Sequence, residues 1–551
     1  MSVPDAPGAP PDAPAASPLT PPEASKLPAA SNDGGDRLAR GARRVSALTM
    51  LSRLLGLARE QIFALTLGAG ASSDAFLAAF RIPNLLRDLF AEGALSTAFV
   101  PTYVATLRHE SRAAAHALAN RVMSTLTIYL GAVALAAMIF PGPVVRLVAA
   151  GFSPEKTALC AHLVRIMMPF LPAISLAVVA MGALNAEEKY TAPALASSMF
   201  NVVAIVGGLI VFGIAPSSRT AVTAWAAFTV VGGVAQLAIQ IPSLWRTGYR
   251  PRLTPDLTLR DPGTRRIAKL MAPATLGVAA VQVNVVVNSS FASLISDGAL
   301  SWLSYAFRLM QLPIGVFGVA VGTTALTHLS RDAARNDWDS LRATLRRGLR
   351  MVLFLTVPST VGLALLGVPI IRLIFQHGRF SANATVQTAH ALAGYAIGLV
   401  AYAAIKVLAP AFYALGRTRV PVAASVTAVA ANLIWNVLTF RRFGHVGLAV
   451  GTSIAALANF CVLAVAFQRQ IHGLFTRDLV VPFLKILVAA AVMAGAIWLV
   501  SSRVEQLHRA GTGVFAAKAF LPIAVGAAVY FAAARALGLD EARQLVSRFR
   551  R

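Results

Sequence analysis

Two neighbouring stretches, 52–60 (SRLLGLARE) and 74–101 (DAFLAAFRIPNLLRDLFAEGALSTAFVP), are apolar enough to lie in a bilayer and yet carry Arg53, Arg59, Arg81 and Arg87. On insertion scales a central arginine costs roughly 2.5–3.5 kcal/mol, so four of them in two spans must line water or a ligand. A guanidinium is always charged and presents a fixed fork of donors, which suits the recognition of polar and anionic groups. Glu60, Asp74, Asp88 and Glu92 lie close enough in sequence to take up part of the charge. Asp74 and Arg81, seven apart, share a helix face, whereas Asp88 and Glu92, one turn apart, repel each other. Mutual neutralisation is therefore incomplete. Pro83 removes a backbone hydrogen bond in mid-stretch and predicts a kinked or broken helix. Such a break is tolerated at membrane depth only where the freed groups face protein or a watery cavity. The competing reading of the first stretch is an amphipathic helix on the membrane surface, its arginines among headgroups.

The elements that must position these residues follow from composition. Of 551 residues, 57% are hydrophobic and 13% charged, and mean hydropathy is +0.67. Soluble domains carry about 25% charged residues, so the chain reads as an integral membrane protein. The net charge of +26 is scattered through short loops rather than gathered on one face, which argues for membrane topology and against nucleic acid. Cys160 and Cys461 are the only cysteines, too few for a disulfide framework or a thiolate metal site. Residues 1–36 are rich in proline and alanine, lack the apolar core of a signal peptide and predict a disordered leader.

Apolar runs of about twenty residues predict an all-α polytopic fold with about fourteen spans. The first two are the charged pair. The next four lie near 117–140, 158–184, 192–214 and 221–245, and the following six near 268–296, 300–328, 346–368, 386–415, 419–440 and 446–468. The last two lie near 480–502 and 514–537. With this count the loops RLARGARR, LRHESR, WRTGYRPRL, TRRIAK, RRGLR, GRTR and QRQ and the tail SRFRR all fall on one side, which predicts both termini in the cytoplasm. A faint echo, AFR followed within a few residues by proline, occurs at 79–83 and 306–313 and makes Arg81 and Arg308 counterparts in two parallel halves.

The run LTMLSRLLGLAREQIFALTLGAGASSDAFLAAFRIPNLLRDLFAEGALSTAFVP closely resembles the amino-terminal signature of the MurJ (MviN) lipid II flippases, of the multidrug, oligosaccharidyl-lipid and polysaccharide exporter superfamily. The runs SWLSYAFRLMQLPIGVFGVAVGT (301–323) and KVLAPAFYALGRTRVPV (406–422) extend the resemblance over nearly the whole chain after residue 37. It implies two six-helix lobes, at 37–247 and 248–472, with two further helices and a basic cytoplasmic tail at 473–551. It further implies a non-enzymatic, cofactor-free monomer in the bacterial inner membrane. Such a protein would move lipid II from the cytoplasmic to the outer leaflet by alternating access, among membrane lipids and cell-wall synthesis proteins.

The family's functional arginines fall on Arg53, Arg59, Arg87 and Arg308, with Asp74 at the head of the second span, and Arg81 joins them as a candidate substrate-binding residue. Lipid II carries a diphosphate and peptide carboxylates, for which the guanidinium fork is suited. Arg53 and Arg59, six apart, lie about 120° apart around a helix, which suits a cavity wall better than one clamp. The alternative is that some of these arginines only tie helices together through Asp74 or Glu60. Pro83, Gly315, Gly318 and Gly322 are candidates for hinge or packing positions. Many relatives carry an acid before the arginine corresponding to Arg308, whereas this chain has Phe307. Asn432 and Asn436, one turn apart with no adjacent carboxylate, favour interhelical hydrogen bonding over a cation site, and the histidines show no metal-ligand spacing. The rival functions are export of another polyprenyl-diphosphate-linked saccharide and multidrug export. A cavity for cationic drugs would carry acids, and no nucleotide-binding motif supports an ATP-driven pump.

Overall fold

The computed structural model describes residues 32–92, 94–215, 217–505 and 512–549, and these are helical throughout apart from turns. Among the described residues, nine helices are long and apolar enough to cross a membrane. The longest, Arg419–Gln470, is two spans. At Gly444 the backbone leaves the helical region (φ 55°, ψ −141°), a conformation that glycine adopts without a Cβ clash. Beyond it the Trp435 indole N–H donates to the Gly447 carbonyl at 3.0 Å. Residues twelve apart on a continuous helix would be roughly 18 Å apart, so the chain folds back on itself here.

The four remaining spans fall outside that set, spans 2 and 8 because each is broken into helices of 15–17 residues. They are span 1 (Asn32–Leu67), span 2 (Ala71–Arg87 and Ala94–His109), span 7 (Pro262–Ser293) and span 8 (Ala299–Pro313 and Val319–Ala334). The apolar ones are span 3 (Arg112–Ile139), span 4 (Pro154–Met167 and Phe170–Ala186), span 5 (Thr191–Ile214) and span 6 (Ser218–Ala238). After them come span 9 (Trp338–Leu365), span 10 (Ala382–Ala414), the hairpin of spans 11 and 12, span 13 (Arg477–Glu505) and span 14 (Thr512–Ala536). The chain is thus a multi-pass, all-α membrane protein. In one lobe span 1 packs on span 5 and span 5 on span 6. In the other, span 10 is the hub for spans 8, 9, 11 and 12, and spans 13 and 14 lean on span 9.

Span 2 is interrupted, but not where proline predicts. The α-helix runs through the buried Pro83 to Arg87 and gives way to a π turn at Asp88–Glu92. A single lost N–H at Pro83 is absorbed by tight packing, whereas the wider π turn sits where spans 2 and 7 exchange side-chain bonds. Thr275 donates to the Leu89 carbonyl and Gln282 to Asp88. Span 8 carries a matching π turn at Ile314–Gly318. A second correspondence follows the third span of each lobe, where short helices Pro141–Val148 (PGPVVRLV) and Gly367–Phe375 (GVPIIRLIF) share a proline, two β-branched residues, arginine and leucine. The expected leader boundary also moves: Asn32–Asp36 belong to span 1, and residues 1–31 lie outside the described residues.

Candidate substrate cavity

Spans 1, 2, 5 and 8 enclose a cavity of about 670 Å³ whose walls carry Arg53, Arg59, Arg87 and Arg308 together. It lies nearer the end of the molecule that bears the basic loops, and there the wall includes the exposed Met50 and Leu54. Arg59 Nη2 lies 2.6 Å from Glu60 Oε1, and Arg308 Nη2 reaches the same oxygen at 2.9 Å. One carboxylate on span 1 therefore serves a cation from each lobe. This supplies the restraint that Phe307 cannot, its ring instead stacking edge-on against Tyr395 at 5.3 Å. Arg53 donates to the Gly315 carbonyl at 3.0 Å, within the π turn of span 8. Arg87 pairs with its neighbour Asp88 at 2.8 Å. Four guanidinium groups thus stand on one cavity wall, with Glu60 and Asp88 among the acids that meet them.

Asp74 and Arg81 do not line this cavity. Asp74 is buried at the opposite end, where its Oδ2 takes a 2.9 Å contact from Lys156 Nζ and the Gly298 N–H, and its Oδ1 takes the Ser301 N–H and hydroxyl. Lys156 also reaches Asp297 at 2.7 Å, so spans 2 and 4 are latched to the turn between spans 7 and 8. The expected pairing of Asp74 with Arg81 is not formed. The arginine donates instead to the Val285 carbonyl of span 7. Shared helix face told only which side both residues are on; partners from distant spans decide which contact forms.

Between cavity and latch stands an aromatic plug. Phe63 stacks on Phe76 at 4.9 Å and edge-on against Trp225 at 5.2 Å, and Tyr305 packs on Phe375 at 5.0 Å while its hydroxyl donates to the Gly68 carbonyl. Gly68 (φ 66°) and Gly378 (φ 57°) come so close to the opposite loop that a Cβ on either would strike a backbone carbonyl. The cavity is accordingly closed towards this end. Of the candidate hinge glycines, Gly315 faces the cavity and Gly318 lies against Ala403, while Gly322 admits the Lys406 carbonyl so closely that it serves packing against span 10. Asn436 donates to Asn288 of span 7 at 2.6 Å and to Asn432 at 3.0 Å, an interhelical hydrogen-bonded set. Among the described residues no cluster of His, Cys, Asp or Glu could hold a metal ion.

Sequence reasoning missed Lys156 and the plug. The lysine had a signal, a cation placed in a loop on the side otherwise poor in them. The plug had none, because aromatic residues scattered over four spans look like ordinary core.

A membrane-spanning helical bundle, closed at one end around a cavity lined by four arginines, is the build of a polytopic membrane transporter. Two solved multidrug transporters of the multidrug and toxin extrusion type share the fold: an inward-facing one (TM-score 0.61, 17% identity, covering 79% of this chain and 98% of that one) and an outward-facing one (TM-score 0.53, 15% identity, 79% and 96%). A structure described as lipid II flippase MurJ in an inward closed conformation matches with a TM-score of 0.76 and 27% identity, over 90% of this chain and 99% of that one. The family model described as lipid II flippase MurJ matches residues 63–516. The lipid II flippase MurJ of Burkholderia cenocepacia is 36% identical over 460 residues (82% of this chain, 88% of the relative), and the probable lipid II flippase MurJ of Vibrio cholerae is 35% identical over 464 residues (82% and 87%). The chain belongs to the MurJ family.

Proposed function

We propose that this chain is a lipid II flippase working by alternating access in the bacterial inner membrane, with both termini in the cytoplasm. The single observation that carries the reading is the convergence of Arg53, Arg59, Arg87 and Arg308 on the walls of one cavity. A diphosphate brings the missing negative charge, and each guanidinium can exchange a carbonyl or carboxylate partner for a phosphate oxygen without losing its geometry. The polyprenyl tail stays in lipid while the headgroup enters from the side that carries the basic loops. The protein acts as a transporter rather than an enzyme and functions as a monomer. A cavity for cationic drugs would need the opposite sign, and likeness to multidrug transporters extends to fold alone.

The direct test is translocation of fluorescently labelled lipid II in proteoliposomes containing only this protein. Appearance of label in the far leaflet at the rate of empty liposomes would end the reading. Orientation is checked separately in intact cells. Cysteines placed at Ser72 and Ser217 should react with an impermeant maleimide from outside, and ones at Ser330 and Thr418 should not. The reverse pattern at either pair would invert the topology.

A further inference from the structure

The segment joining the lobes carries a site that the transport cavity does not use. From Arg246 to Arg266 it holds Arg246, Arg250, Arg252, Arg260, Arg265 and Arg266 against two acids, Asp256 and Asp261. Both acids are already engaged: Asp256 accepts the N–H groups of Arg260 and Asp261, and Asp261 pairs with Arg121 at 2.8 Å and caps span 7. The linker is stitched along span 3, where Asn120 receives the Arg252 N–H and the Tyr249 hydroxyl, Ser124 the Thr254 N–H, and Thr125 the Asp256 N–H. Burial pushes the Tyr249 phenol up to about 12, so it remains a neutral donor.

Beneath this stitched segment lies an apolar cavity of about 380 Å³, floored by Met123, Leu176, Leu237 and Leu244. That volume falls in the range of ligand sites, about 300–1,000 Å³. Arg252 and the half-exposed Trp245 stand at its mouth, and on the other side of Trp245 a second recess is walled by Arg246 and Arg250. Leu253 is 78% exposed beside them. An exposed tryptophan at the end of a membrane span marks the headgroup level. The site therefore offers an apolar slot opening beside three exposed guanidinium groups at that level.

We propose that this is a binding site for an anionic phospholipid of the leaflet on the basic-loop side, with one acyl chain in the slot and the phosphate at Arg246, Arg250 and Arg252. The arginine excess selects an anionic headgroup over a zwitterionic one, and the slot selects a lipid over free phosphate. A lipid held there ties the inter-lobe linker to spans 3 and 6 of the first lobe. This site is separate from the transport reading and stands or falls without it.

The test is native mass spectrometry of the full-length protein in detergent, titrated with dioleoyl phosphatidylglycerol or dioleoyl phosphatidylcholine. Phosphatidylglycerol should bind at least about tenfold more tightly, the scale set by several arginines near one anionic group. The variant Arg246→Gln/Arg250→Gln/Arg252→Gln should lose that preference. Arg417→Gln/Arg419→Gln/Arg469→Gln, which removes as much charge from other loops, should keep it. Leu237→Trp, filling the slot, should weaken both lipids, and inorganic phosphate should not displace phosphatidylglycerol. Retained preference in the first variant, equal loss in the second, or displacement by phosphate would each overturn the site. The substituted arginines are exposed, so unchanged thermal unfolding of the variants separates lost binding from lost fold.

Discussion

Arg53→Ala, Arg59→Ala and Arg308→Ala should each abolish growth of a flippase-depleted cell while the protein still inserts at normal levels. Truncating one partner of a desolvated charge pair costs about 2–5 kcal/mol, so translocation in proteoliposomes should fall at least about thirtyfold. Lysine should restore only part of the rate, since it keeps the charge and loses the fork. For Arg308 a second cause must be separated, because its removal also leaves Glu60 with one cation fewer. Glu60→Gln added to Arg308→Ala relieves that carboxylate but returns no phosphate ligand, so the double variant should stay inactive. Recovery of transport in the double variant would make Arg308 a tie between lobes and nothing more. Normal growth of all three alanine variants would remove the cavity from the mechanism.

Lys156→Met should drive the protein towards the state open at the latch end. In the closed state Lys156 is 6% exposed and Asp74 1%, and among the described residues the lysine is the carboxylate's only cationic partner at hydrogen-bonding distance. Breaking a buried pair by deleting one member costs about 3–5 kcal/mol. Asp74 keeps its contacts to Ser301 and Gly298, so the lower figure applies, and it applies only while the latch is shut. A bias of about 3 kcal/mol shifts the equilibrium more than a hundredfold. A cysteine replacing the fully buried Ala299 should then be labelled from that side far faster than in the parent. Asp74→Asn in the same chain should return labelling towards the parent rate, because no charge is left stranded. Equal labelling with and without Lys156 would show that the latch does not hold the closed state.

How much of this was legible before folding depends on how local the signal is. The apolar spans announce themselves through length and composition, since a bilayer admits few alternatives to a twenty-residue helix. Spans 1, 2 and 8 were visible through their arginines and the family signature, and span 7 through its apolar run. The shared cavity of Arg53, Arg59, Arg87 and Arg308 lay within reach of that resemblance. The contacts of Asp74 were out of reach because its partners, Lys156 and Ser301, are 82 and 227 residues away, and helical periodicity speaks only of neighbours within a few turns. The break in span 2 was misplaced for a related reason. Proline marks a lost backbone bond, but where the helix widens is settled by what span 7 offers opposite.

The bridge from Glu60 to Arg308 has a consequence for how the chain is made. Its two ends are 248 residues apart, and the carbonyl that receives Arg53 lies 262 residues downstream of it. At about 5–20 residues per second, span 1 waits roughly 12–50 s after synthesis before span 8 exists to meet it. Through that interval the charged groups of span 1 that look across the cavity face no finished partner. Arg59 and Arg87 have the acids next to them in sequence for company, but Arg53 has no carbonyl of span 8 to meet. Span 1 is thus the first to be born and the last to be fully housed, and a chain stopped after span 6 would leave the cavity wall without the side that span 8 supplies.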